Sequence, residues 1–150
     1  MTIATILATK GGQCYTIRPE QTIRQALAVL AEKNVGALVV VDGSSRPVGI
    51  LSERDVVRKL VRDEGALGVA VETIMTRDLV TALAQDDLVA ASRTMTERRI
   101  RHLPILDGGR LIGIVSIGDI VKAQRDRYQG EVETLETQLI EEGQDRVIKH

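Results

Sequence analysis

The chain repeats itself, and nothing else in the sequence constrains its fold as tightly. Under a shift of 65, the segment from Tyr15 matches the segment from Val80. Thr16 falls on Thr81, Ala26 on Ala91, Glu32 on Glu97, Leu38 on Leu103, and Asp42-Gly43 on Asp107-Gly108. Past the turn the shift becomes 64, carrying Gly49, Ile50, Ser52 and Asp55 onto Gly113, Ile114, Ser116 and Asp119. The one-residue change falls in a Gly-rich hairpin, where length variation is best tolerated. A unit of about sixty residues buries too little surface to be comfortably stable alone. Two of them are therefore expected to pack face to face and share one core.

Each unit reads as strand, helix, strand, strand, helix, an α/β (α+β) arrangement in which two βαββα repeats form one module by pseudo-twofold symmetry. Ile23, Ala26, Leu27 and Leu30 follow helical spacing, as do Leu88, Ala91 and Met95. Ala37 to Val41 and Leu103 to Leu106 are short apolar strands, and the Asp-Gly pairs turn each into a hairpin. Pro104 lacks an N–H, so its strand is predicted to begin at a sheet edge. Val56, Val57, Leu60 and Val61 continue as a helix, as do Ile120 and Val121. The boundaries read as repeat 1 over 10–62, a linker over 63–74, repeat 2 over 75–123 and a helical tail over 124–150. Residues 2–9 read as a short helix covering one end. In the tail, Tyr128, Val132, Leu135 and Leu139 recur at steps of four and three, a narrow seam of coiled-coil type that Gly130 weakens. Such a helix lies on its own domain or forms a seam between two subunits; a homodimer is expected.

Composition removes several classes of function. The net charge is -1, and only 1% of residues are aromatic, which supplies neither a basic track nor stacking platforms for nucleic acid. No apolar run approaches a membrane span, and the N-terminus lacks the charged start of a signal peptide, so cytoplasmic residence is the default expectation. The single Cys14 allows no internal disulfide and no paired-cysteine metal site. With two His residues, one of them terminal, and no HExxH, GxxxxGK[ST] or GxGxxG pattern, no catalytic set is evident and no metal is expected.

The strongest local signal is GILSERD at 49–55 and GIVSIGD at 113–119. Each reads as a buried strand ending at a Ser that starts a helix, with an Asp three residues on. Free N–H groups at a helix start favour anions. A carboxylate there can accept from both hydroxyls of a ribose, and the Ser hydroxyl can donate to a phosphate. The same S-x-x-D spacing also makes a capping box, which stabilises a helix and does nothing more.

These motifs carry a resemblance. The duplicated unit ending in G-h-h-S-x-x-D, with h apolar, resembles the tandem CBS (cystathionine-β-synthase-type) domain family over roughly residues 10–123. KGGQCYTI, GILSERD, IMT, RIRHLPIL and GIVSIGD are similar to a bacterial group of stand-alone pairs with signal-transduction or regulatory roles. The resemblance implies a disc-like, non-catalytic sensor whose clefts hold an adenine nucleotide. AMP is the first candidate, with ATP, ADP, NAD or S-adenosylmethionine as alternatives. It implies that Ser52 with Asp55, and Ser116 with Asp119, hold ribose and phosphate. An adaptor with vestigial clefts that regulates an unidentified partner protein is the competing reading.

The two clefts are not expected to be equal. Arg98, Arg99, Arg101 and His102 stand where the first repeat has Lys33, Asn34, Gly36 and Ala37. Relatives such as the γ subunit of AMP-activated kinase carry basic residues at the places of Arg101 and His102, which implies phosphate contacts; the alternative is that these cations cap a helix and face water. For the Asp119 cleft, Lys10, Gln13 and Tyr15 are expected around the base, backed by Val35, Gly36 and Ala37. Thr76, Asp78, Val80 and Ile100 are their counterparts at the Asp55 cleft. Arg54 is a further phosphate candidate, unmatched in the second repeat by Gly118.

Overall fold

A computed structural model describes residues 1–11 and 14–148. The first repeat contains β1 (Thr16–Ile17), α2 (Ile23–Lys33), β2 (Ala37–Val41), β3 (Pro47–Ser52) and α3 (Glu53–Arg62). The second contains β4 (Ala82–Leu83), α4 (Leu88–Arg98), β5 (His102–Asp107), β6 (Arg110–Ser116) and α5 (Ile117–Ile148). Ahead of both lies α1 (Ile3–Lys10), and two short 3-10 turns, Glu64–Gly68 and Val71–Thr73, lie between the repeats. Each repeat folds one mixed three-stranded sheet, ordered β1-β2-β3 and β4-β5-β6. The outer short strand is parallel to the centre and the hairpin partner antiparallel.

Local chemistry accounts for the element boundaries. Thr22 and Gln25 close a reciprocal capping box on α2, and the Asp87 carboxylate caps α4 at Ala90 N. Both helices end on a left-handed residue, Asn34 and Arg99 (φ 53 and 54), the conformation common at helix C-termini. Arg98 and Arg99 therefore belong to a helix end. The second hairpin turns through Gly108 and Gly109, with φ of 58 and 81. In the first hairpin the left-handed position is taken by Ser45, while the Asp42 carboxylate gathers the N–H groups of Ser44 and Arg46.

Pro104 does not mark a sheet edge: β5 is the central strand of its sheet. The reason is where the missing donor falls. Val39, its counterpart, sends its N–H to Tyr15 O over 3.4 Å, on the side of the two-residue strand. Pro104 therefore forgoes only a long bond beside a strand that is already short, and the ladder to β6 is kept.

The expected single core is in fact two. Leu38, Val40, Leu51 and Val56 centre one cluster, and Leu103, Ile105, Val115 and Ile120 the other. Val39 and Pro104 point to the opposite faces of their central strands and are buried as well, so both sheets are covered on two sides.

The repeats are tied together by exchanged covers. Helix α1, which precedes repeat 1, packs on repeat 2: Ile3 and Ile6 lie in the second cluster, and Ile3 N and Ala4 N donate to Asp86 O and Ala84 O. The segment after repeat 1 folds back onto it, placing Ala66, Val71 and Met75 in the first cluster. Thr76 and Ile50 exchange backbone hydrogen bonds of 2.9 and 3.0 Å. Residues 63–74 are thus a cover as much as a linker.

No break separates the second repeat from the tail. Helix α5 runs 32 residues through Gly130, and from Gln124 to Gly143 its side chains are exposed except for Val132. Tyr128, Leu135 and Leu139 are 68%, 59% and 67% exposed, so the tail does not lie on its own domain.

Candidate functional site

Both S-x-x-D motifs close as capping boxes. Ser52 Oγ accepts from Asp55 N at 3.2 Å and the Asp55 carboxylate accepts from Ser52 N at 3.0 Å; the corresponding distances for Ser116 and Asp119 are 3.1 and 2.8 Å. A capping box leaves part of the carboxylate available. Asp119 takes its contacts on Oδ2, and Oδ1 receives no hydrogen bond from the described residues.

The glycine opening each motif sets how closely the covers approach. A Cβ on Gly49 would stand 2.5 Å from Met75 Sδ and 3.1 Å from Thr76 O, and one on Gly113 would stand 2.8 Å from Leu7 Cδ2. Sequence reasoning gave these glycines no role, although their duplication at the head of both motifs was a signal that backbone approaches there.

The symmetry breaks at Lys10. In repeat 1, Ile50 O accepts the backbone N–H of Thr76. In repeat 2 its counterpart, Ile114 O, accepts from the Lys10 ammonium at 3.0 Å, and Lys10 Nζ also pairs with Asp119 Oδ2 at 2.7 Å. Asp55 has no such cation among the described residues. Burial pushes the Asp119 carboxyl up, but the Lys10 hydrogen bond, the Ser116 N–H and the Lys10 charge together hold it below the ordinary carboxylate range.

His102 starts β5 close by and is half-buried. Burial first, then the Lys10 charge, lower its pKa, and Asp119 opposes them. Glu53, at the start of α3 in the other repeat, also acts on His102, a neighbour that sequence reasoning missed. Gly36 faces His102 across the repeats: a Cβ there would meet His102 Nε2 at 3.7 Å, so the residue is not forced to be glycine by this contact. Lys10, Gly36, His102, Ser116 and Asp119 are thus brought together.

Other expected residues are placed differently. Arg101 is exposed rather than half-buried, and its carbonyl accepts Ile117 N at 2.9 Å. Tyr15 packs on the first cluster, with Lys33 Nζ 5.4 Å from its ring centre, and Val35 packs there too; Ala37 is buried. Val80 and Ile100 pack against the second cluster. The side chains of Arg54 and Asp78 make no hydrogen bond or ion pair with the described residues, and both residues are exposed. Thr76 holds Ile50 through its backbone. Gln13 lies outside the described residues.

A cavity of about 590 Å³ opens between Cys14 and Thr16 of the strand entering repeat 1, the first hairpin at Gly43 to Ser45, and the second at Arg110 to Ile112. Its described lining includes none of Lys10, Gly36, His102, Ser116 or Asp119. Cys14 lies near enough to Lys10 to feel its charge, yet burial dominates and raises the thiol to about 11. A thiol with that pKa is protonated at neutral pH. Among the described residues no group of three or more His, Cys, Asp or Glu could hold a metal ion, and no helix is long and apolar enough to cross a membrane.

The Asp119 pair has a pH consequence. Its folded pKa lies below the unfolded value, so the stabilisation is present above about pH 4 and is lost as pH falls through the folded value. Lys10→Met is expected to shrink that loss, read as urea midpoints between pH 6 and pH 3. An unchanged acid limb would assign the depression to the Ser116 N–H alone.

The chain matches the family described as CBS domain twice, over residues 7–62 and 71–126. The mitochondrial CBS domain-containing protein CBSX3 of Arabidopsis thaliana is 34% identical over 143 residues, covering 89% of this chain and 69% of its own. The CBS domain pair of protein MJ0100, solved in complex with 5′-methylthioadenosine and S-adenosyl-L-methionine, is 25% identical with a TM-score of 0.75, covering 85% of this chain and 98% of that one. A CBS domain protein of Pyrobaculum aerophilum complexed with AMP is 28% identical with a TM-score of 0.72, covering 79% and 89%. The chain belongs to the CBS-domain family, as a tandem pair whose two βαββα units carry the motifs described above.

Proposed function

We propose that this chain is a non-catalytic sensor of an adenine nucleotide, with AMP as its ligand in the cleft at Asp119. The observation that carries the reading is the Lys10 ammonium paired with the Asp119 carboxylate at the start of a long helix, with His102 close enough to feel both charges. Asp119 Oδ1 is available to accept from the ribose hydroxyls. The phosphate then competes with Asp119 for Lys10 and recruits Arg101, whose fork of donors suits two phosphate oxygens. An AMP-bound relative supports this choice. Another relative binds S-adenosyl-L-methionine, but that sulfonium cation would meet the Lys10 ammonium unfavourably.

The adaptor reading also rests on a specific observation. Both Ser–Asp pairs cap their helices and Lys10 already satisfies Asp119, so the cleft is complete without a ligand. Thermal or denaturant unfolding with AMP, adenosine and S-adenosylmethionine separates the two. AMP at a hundredfold excess over its dissociation constant should stabilise the fold by about 2.7 kcal/mol. At the same concentration adenosine and S-adenosylmethionine should do much less. Equal stabilisation by AMP and adenosine would remove the phosphate's role, and no stabilisation by AMP, ADP, ATP or NAD would leave the adaptor.

A further inference from the structure

The exposed part of α5 is a helix without a partner. From Gln124 to Glu142 it spans about 30 Å at 1.5 Å per residue, and of these side chains only Val132 is even half-buried. Apart from Ile140, its apolar residues keep to one stripe. Val121, Tyr128 and Leu135 fall seven apart, and Val132 and Leu139 form a second row between them. All but Val132 are at least 55% exposed. In heptad terms the d positions are Val121, Tyr128, Leu135 and Glu142, and the a positions are Arg125, Val132 and Leu139. A single helix of this length, with Gly130 within it, is marginal in water without packing along such a stripe.

The charges state which partner fits. We propose that the stripe pairs with the same stripe of a second copy of this chain, antiparallel, as a two-helix coiled coil. In a parallel pair like positions meet: Arg125 would face Arg125, Glu142 would face Glu142, and Glu131 at g would approach Glu136 at e of the other helix. An antiparallel pair with Val132 opposite Leu135 and Leu139 opposite Tyr128 removes all three conflicts. Arg125 then lies opposite Glu142 of the second copy at both ends, Glu131 falls beside Gln138, and Gln129 beside Glu136. The four apolar layers are flanked by two opposite-charge pairs and no like-charge pair. This pairing is independent of what the Asp119 cleft binds.

Sedimentation of the full chain at micromolar concentration should give twice the monomer mass of 16.4 kDa. Leu135→Asp with Leu139→Asp should return it to the monomer, with the thermal unfolding of the two repeats unchanged. Arg125→Glu and Glu142→Arg should each weaken the dimer about tenfold, since each sets like charges opposite one another twice, and the double exchange should restore it. Val121→Cys should not form a disulfide with itself, whereas a mixture of Val132→Cys and Leu135→Cys chains should form a mixed one. A monomeric parent chain, or a dimer indifferent to Leu135→Asp with Leu139→Asp, overturns the pairing. A charge exchange that fails to restore the dimer, or a Val121→Cys disulfide, overturns its antiparallel direction.

Discussion

Asp119→Asn is expected to weaken AMP binding by about 1.5–3 kcal/mol, the range for hydrogen bonds to a charged group, while changing the ligand-free fold much less. The structure gives both halves of this expectation a cause. An Asn oxygen can still accept the Ser116 N–H and keep the cap on α5, so the helix start survives. The Lys10 pair is lost, but with side chains 36% and 26% exposed its contribution to stability is small, within about 1 kcal/mol. What Asn cannot provide is a second acceptor for two ribose hydroxyls, because its other terminal atom is a donor. Calorimetric titration of AMP beside denaturant unfolding of the free protein reads the two quantities separately. Lost stability with unchanged AMP affinity would reduce GIVSIGD to a helix cap.

Gly49→Ala should be the more damaging of two equivalent glycine substitutions, costing about 2–3 kcal/mol where Gly113→Ala costs less than about 1 kcal/mol. At Gly49 the added methyl meets Met75 Sδ at 2.5 Å, Met75 Cγ at 2.9 Å and Thr76 O at 3.1 Å. Met75 can change rotamer, but Thr76 O cannot easily retreat because it accepts the Ile50 N–H at 3.0 Å. At Gly113 the methyl meets only the tip of Leu7, a flexible side chain on α1. Urea midpoints of the two variants test the difference, and equal losses would mean that the cover on repeat 1 is as yielding as α1.

The alternation of elements was readable because duplication doubles every weak local signal: Ile23-Ala26-Leu30 and Leu88-Ala91-Met95 each support a helix, and their correspondence makes chance a poor explanation. Family membership followed from the two Gly-to-Asp motifs. Three features were out of reach for physical reasons. The loss at Pro104 depends on which neighbour its N–H would have faced, which is a matter of register. The covers required knowing which sheet an apolar segment lands on, and the hydrophobicity of Ile3, Ile6, Val71 and Met75 carries no address. Lys10 was expected at the Asp119 cleft, but its direct bond to the carboxylate joins residues 109 positions apart and has no counterpart in the other repeat, so the duplication gave no sign of it. The S-x-x-D spacing was ambiguous in sequence because one arrangement satisfies both readings: a cap occupies one carboxylate oxygen and leaves the other.

The crossing of the covers also bears on how such a chain can arise. Residues 1–10 shield the second sheet, and the segment from 63 to 76 shields the first, so neither repeat carries its own lid in the stretch that leads into it. A shorter ancestor with one unit and one leading segment could complete its interior only by lending that segment to an identical neighbour and borrowing the neighbour's in return. Gene fusion of two such units would convert an obligatory swap between molecules into a covalent one, with the former leader of the second unit becoming the stretch that now joins the halves. On that view the pair is a domain-swapped dimer written into one polypeptide, and the smallest portion that can fold with its interior covered is the whole pair.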